Sequence, residues 1–226
     1  MELLFSYWWL LLPAIIFGFI AQMRVKNTYK EQRKFKTEKN ISGVKMARWI
    51  LDSNNLQHVR IEKVSGNLTD HYDPRSQVLR LSQNVYGGTD VAALGIAAHE
   101  AGHAIQHAHS YAPIALRNTV YPIASFGSNL GPILVIGGLF LGSIPLLINI
   151  GIILFAFAVA FTLITLPVEF NASGRAIRIL EKSGAMTPRE LTGARKVLSA
   201  AAMTYVASAL ASVLTLVRLI LLSQSK

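Results

Sequence analysis

Three stretches of this chain, 3–23, 118–168 and 198–217, carry no charged side chain, and each reaches or exceeds the roughly 20 residues a helix needs to cross a bilayer. In hydrocarbon the backbone must satisfy its own hydrogen bonds, so runs of this length fold as helices. The middle run is long enough to cross twice, and Gly142, Ser143 and Pro145 place helix-breaking residues near its centre. Four transmembrane helices are expected, near 3–22, 119–141, 146–166 and 200–222. A share of 52% apolar and 15% charged residues fits that reading better than a water-soluble fold. A cleaved leader is the rival reading of the first run. Glu2, however, stands where leaders carry Lys or Arg, and Phe19 and Ala21 do not form a small-x-small cleavage site. The expectation is an uncleaved anchor.

The formal charge of +10 would suggest nucleic acid in a soluble chain, but its distribution points elsewhere. Of the 22 Lys and Arg residues, fourteen lie between Arg24 and Arg117 and six between Arg175 and Lys196. With four spans, all twenty share one side of the membrane, which the positive-inside rule makes cytoplasmic. Topology thus accounts for the charge, and no nucleic-acid partner is expected. The expected partners are the lipid bilayer and a protein or peptide substrate that is itself membrane-associated. Arg218 falls inside a span, about one turn from its end, where its head can snorkel to the interface.

Between the first and second runs the sequence has the periodicity of a small folded unit. The basic run 26–39 reads as a solvated helix or linker. Val44, Ala47, Ile50 and Leu51 recur at helical spacing, ending near Asn54 and Asn55. Alternation over 59–64 suggests a strand, broken at Gly66 and Asn67. Val78, Leu79 and Leu81 lead a second extended stretch up to Tyr86, closed by Gly87 and Gly88. A helix is expected from Asp90 to just before Pro113. Its apolar half is too short to span a membrane. The strand 77–81 is a candidate for pairing with an extended peptide by edge addition.

That helix carries His99-Glu100-Ala101-Gly102-His103, an H-E-x-x-H motif. Residues four apart lie one above the other on a helix, so the two imidazoles can converge on one Zn²⁺. Glu100 is displaced around the helix, beside the open metal position, where its carboxylate can act as general base toward a zinc-activated water. The chain has no cysteine, so a third ligand must be imidazole or carboxylate. Asp52, Asp70, Asp73 and Asp90 all precede the motif, which leaves three downstream glutamates. Glu190 sits in Thr187-Pro188-Arg189-Glu190, a capping box with Pro at the first helical position. Glu181 lies beside Arg178 and Lys182 ahead of Gly184, as a surface residue near a helix end. Glu169, flanked by apolar Val168 and Phe170, is the best candidate, because an unpaired carboxylate there would be costly and coordination would stabilise it.

His107 and His109 are rival ligands. Three histidines at successive fours spread over about 12 Å of helix, too far for one ion. His107 is then either a surface residue or a participant near the metal, and His71 or Tyr72 is a candidate donor to a developing oxyanion. The plain alternative for 70–75 is an Asp/Pro turn with exposed side chains.

The runs 70–75 (Asp-His-Tyr-Asp-Pro-Arg), 98–106 around the motif, and 166–173 (Leu-Pro-Val-Glu-Phe-Asn-Ala-Ser) resemble the YugP-like neutral zinc metallopeptidase family of bacterial membranes. The resemblance covers nearly the whole chain. It implies a gluzincin site with one Zn²⁺ per chain, bound by His99, His103 and Glu169, and Glu100 as general base. The chain is more distantly similar to HtpX-like membrane peptidases, whose ligand sits in E-F-x-A-D-x-x-A. Here Ser173 stands where that pattern has Asp, which leaves the orienting partner of the zinc histidines open.

The expected fold class is α+β, mainly α, with four transmembrane helices and a small cytoplasmic zincin-like domain. The expected organisation is an anchor (1–23), a cytoplasmic catalytic region (24–118), a transmembrane hairpin (119–166), cytoplasmic helices carrying the third ligand (167–199), and a fourth span with tail (200–226). The expected function is that of a multi-pass cell-membrane endopeptidase acting from the cytoplasmic side. The alternative is a non-enzymatic scaffold or transport component with a structural metal site. Such a site usually closes all four positions with protein ligands, and no obvious fourth is present.

Overall fold

The computed structural model describes residues 6–224, so the start of the first expected span, 3–5, lies outside the described residues. After a 3₁₀ turn at Trp8–Leu11 the elements are α1 (Leu12–Gln32), α2 (Gly43–Asp52), β1 (Arg60–Val64), β2 (His71–Asp73), β3 (Val78–Ser82), α3 (Gln83–Tyr86), α4 (Val91–Ala108), α5 (Ala112–Phe140), α6 (Pro145–Lys182) and α7 (Pro188–Gln224). The protein is mainly helical with one small three-stranded sheet. Four helices, Trp8–Gln32, Ala112–Phe140, Pro145–Lys182 and Pro188–Gln224, are long and apolar enough to cross a membrane. The described chain forms two compact units.

One unit comprises the residues up to Ala21, Ala112–Pro167, and those from Met203 onward. The expected reversal between α5 and α6 is present, with Gly142 at φ +92° and Ser143 at +59°. Glycine brings these helices into backbone contact: a Cβ at Gly131 would lie 2.8 Å from the Gly151 carbonyl oxygen. Such small-residue contacts drive association where lipid removes the hydrophobic incentive. Val135, Ile148, Phe155 and Leu219 pack beside that contact.

The other unit comprises Gln22–Tyr111 and Val168–Ala202. Its centre is α4, in which every residue from Val91 to Ala98 is buried. A helix apolar all round is stable only as a core element, and alanine-rich faces let neighbours approach closely. Ile50 and Leu51 of α2, Leu79 and Leu81 of β3, and Leu180 of α6 close around it. The Asp90 carboxylate accepts from the Ala93 amide at 3.0 Å, capping the start of α4. The capping box read at Thr187 is formed: the Thr187 amide donates to Glu190 at 2.7 Å, and the other carboxylate oxygen accepts from the Glu38 amide at 2.8 Å. The basic run 26–39 continues α1 to Gln32 and is then tied down by Thr37, whose amide donates to the Thr89 carbonyl at 2.9 Å.

Two local expectations are corrected. The strand read at 77–81 is not an edge. In the sheet order β1-β3-β2 it is central, parallel to β1 and antiparallel to β2, so its backbone groups are already paired. The extended stretch also stops at Ser82 rather than Tyr86. Asp70 accepts from the Ser82 amide at 2.7 Å and its hydroxyl at 3.0 Å, and the chain turns there into α3.

Replacing Asp90 with Ala removes a buried cap from the helix that carries the motif. It is expected to destabilise the protein by about 1 kcal/mol, read as a thermal midpoint lowered by a few degrees in detergent.

Candidate metal centre

His99 and His103 lie one turn apart on α4, and their Nε2 atoms point at one spot, 3.1 Å apart. The rings stand edge to face with centroids separated by 4.7 Å. Glu169 of α6 directs Oε2 at the same spot, 3.3 Å from His99 Nε2 and 3.5 Å from His103 Nε2. The imidazoles keep 13% and 12% of their side-chain surface exposed and the carboxylate 4%. The site is therefore shielded but not sealed.

A glycine allows the carboxylate this close. A Cβ at Gly102, between the two histidines, would fall 3.0 Å from the Ala172 carbonyl oxygen, one turn beyond Glu169. Any larger side chain there would push α6, and Glu169 with it, away from α4.

The hydrogen bonds around the histidines fix which nitrogen faces inward. Gln106 is fully buried. Its Nε2 donates to the Val168 carbonyl at 2.9 Å and to Asn171 Oδ1 at 3.0 Å, and that same Oδ1 accepts from Arg175 Nε at 2.7 Å. The Gln106 Oε1 must therefore face His103 Nδ1, 2.9 Å away, and accept its proton. His103 Nε2 is left as a lone pair. On the other ring, Ser173 Oγ lies 3.1 Å from His99 Nδ1 and can accept in the same way. The arrangement is the one that orients imidazole ligands in metal sites.

The donor set fits a small divalent cation. Two imidazole lone pairs and a carboxylate oxygen facing one another at 3.1 to 3.5 Å repel unless positive charge lies between them. Ligands around tetrahedral zinc, at bonds of about 2.0–2.1 Å, stand about 3.3–3.4 Å from each other. Glu169 Oε2 is moreover buried and accepts no hydrogen bond among the described residues. An unpaired buried carboxylate oxygen is costly, and a cation removes that cost.

Glu100 is buried on α4, about 100° around the helix from His99. Burial pushes its carboxyl above the ordinary carboxylate range, against the opposing pull of His99 and His103. Tyr72, on β2, places its hydroxyl 3.0 Å from His107 Nδ1, one turn past His103. Burial raises the phenol's pKa, so it stays protonated, and the tautomer of His107 sets which of the two groups donates.

The other histidines are engaged differently. His71 is exposed, with Nδ1 2.9 Å from the Thr69 carbonyl and Nε2 facing Arg80 rather than the candidate ligands. His109 follows the end of α4 and is exposed. Arg175, a rival partner for Glu169 on charge grounds, is turned to Asn171. Gln106 was missed by sequence reasoning, although its position three residues after His103 puts it on the same helical face. Asn171, two residues after Glu169, carried no signal until α6 packed against α4.

An H-E-x-x-H helix whose histidines meet a distant glutamate is the donor set of a metal-dependent hydrolase. The chain matches, over residues 7–224, the family described as "Putative neutral zinc metallopeptidase", and it belongs to that family. It is 47% identical over 213 residues, 94% of both chains, to a Bacillus subtilis (strain 168) protein described as "Putative membrane protease YugP". No solved structure matches it.

Replacing Gln106 with Leu should free His103 to rotate and should weaken metal affinity by about 10- to 100-fold. Zinc titration against a chromophoric chelator would measure the loss, and unchanged affinity would remove Gln106 from the site.

Proposed function

We propose that this protein is a membrane-embedded zinc endopeptidase that cleaves membrane-associated protein or peptide substrates at the cytoplasmic face. The observation that carries the reading is the triangle of His99 Nε2, His103 Nε2 and Glu169 Oε2, with Glu100 buried beside it. Family membership and the membrane-protease description of the Bacillus relative support a protease role.

In this reading His99, His103 and Glu169 would hold the ion. A bound zinc supplies water of lowered pKa and polarises the scissile carbonyl. Glu100 takes the proton of the attacking water and delivers it to the departing amine. A carboxyl raised by burial suits both roles, because its affinity for the proton lies nearer neutrality. Gln106 and Ser173 hold the imidazoles with Nε2 inward, and the Asn171–Arg175 pair keeps Gln106 in register. The Tyr72 hydroxyl, accepting from His107 Nδ1–H and so keeping its own proton to donate, is assigned to the substrate backbone near the developing oxyanion.

Multi-pass insertion with a cytoplasmic site is supported by the four apolar helices and by the twenty Lys and Arg residues on one side.

Glu100→Gln is expected to retain one zinc per chain and lose about 10²- to 10⁴-fold in kcat on any peptide the wild type cleaves. Full activity in that variant would exclude Glu100 as the base, and a purely structural metal would give no cleavage in either protein. Reporter fusions after Lys39 and after Lys182 should both read cytoplasmic. Opposite readings would remove the proposed topology.

A further inference from the structure

Away from the metal centre, α1 and α7 enclose a groove of about 340 Å³ that none of the proposed chemistry uses. Arg24, Thr28 and Glu31 line it from α1, and Arg195, Lys196 and Ser199 from α7. Three cations face one acid. Among the described residues none of the three cations, all exposed, has a carboxylate within 4.0 Å, and neither the half-buried Thr28 hydroxyl nor the exposed Ser199 hydroxyl makes a hydrogen bond. Clustered cations without counter-charge repel one another, and an anion with several acceptor oxygens would relieve that repulsion while using the idle hydroxyls.

The sequence says at what depth this groove lies. Arg24 directly follows the uncharged run 3–23, and Arg195 and Lys196 stand just before the uncharged run 198–217. Both helices therefore present these cations where an apolar segment gives way to polar residues, the level of lipid headgroups. A second groove, of about 540 Å³, shares Glu31, Thr192 and Lys196 with the first but sets Lys36, Arg189 and Lys196 against Glu31, Glu38 and Glu190, so the excess of positive charge is confined to the first.

We propose that the α1–α7 groove binds the phosphate of an anionic phospholipid headgroup. The Arg24 and Arg195 guanidiniums provide planar forks suited to phosphate oxygens, Lys196 adds a point charge, and Thr28 and Ser199 donate hydroxyls. Basic pockets between membrane helices bind headgroups in this way. Specificity for net negative charge follows, since a zwitterionic headgroup brings its own cation into a groove that already holds three.

The test uses the full chain, delipidated in detergent and titrated with phosphatidylglycerol or phosphatidylcholine of matched acyl chains, with bound lipid counted by native mass spectrometry. Wild type should retain phosphatidylglycerol about tenfold or more tightly, given a contribution of about fivefold per basic residue. The variant R24Q/R195Q/K196Q should lose that preference. The variant K45Q/K63Q/R75Q, which removes equal charge from outside the groove, should keep it. Equal retention of both lipids by wild type, or equal loss of preference in both variants, would overturn the proposal. Displacement of phosphatidylglycerol by millimolar inorganic phosphate would also overturn it, in favour of a soluble-anion site. If the triple groove variant fails to fold, R24Q and R195Q singly, at exposed positions, should each lower the preference about fivefold, and an unchanged preference in both would overturn the proposal.

Discussion

Three lone-pair donors held face to face in a buried space are the constraint on which the rest of this protein turns. His99, His103 and Glu169 approach within 3.5 Å of one another, an arrangement that repels itself without a cation between. Much of the surrounding unit can be understood as what keeps that arrangement in place. The α4 helix is buried throughout Val91–Ala98, which fixes the backbone that carries the two histidines. Gly102 lets α6 pass within backbone contact, and Gln106 bonds both His103 and the α6 residues that flank Glu169. Strain at a functional site has to be over-determined by its surroundings to persist.

The two units solve different solvation problems with the same helices. Where the runs are uncharged, glycines such as Gly131 and Gly151 permit helix contact through backbone and small side chains, as hydrocarbon solvent demands. In the other unit, large apolar residues of α2, β3 and α6 close over an alanine-rich helix, and the hydrophobic effect does the work. Charge is sorted accordingly. Basic residues crowd the segments flanking the apolar runs, and some of them line the α1–α7 groove.

Local chemistry was read well wherever one element contains all of it. The capping box at Thr187 and Glu190, the Asp90 helix start and the Gly142–Ser143 reversal each depend on a few neighbouring residues. Reading failed where a distant partner left no mark on the composition of the local sequence. The strand at 77–81 read as an available edge because nothing local says that β1 and β2 will flank it. The run to Tyr86 read as extended because the Asp70 bond to Ser82 spans twelve residues.

The same division separates what the sequence determined from what tertiary structure decided. Uncharged length set four membrane-length helices, since a backbone in hydrocarbon has no other partner than itself. Helical periodicity alone set two imidazoles on one face, and the scarcity of downstream carboxylates singled out Glu169. Which atoms face the candidate metal position was decided only by packing. Gln106 reaches Val168 and Asn171 through hydrogen bonds across more than sixty residues of chain, and Arg175 holds Asn171 from the next turn of α6. Such bonds have no signature in spacing, because their geometry exists only once α6 lies against α4.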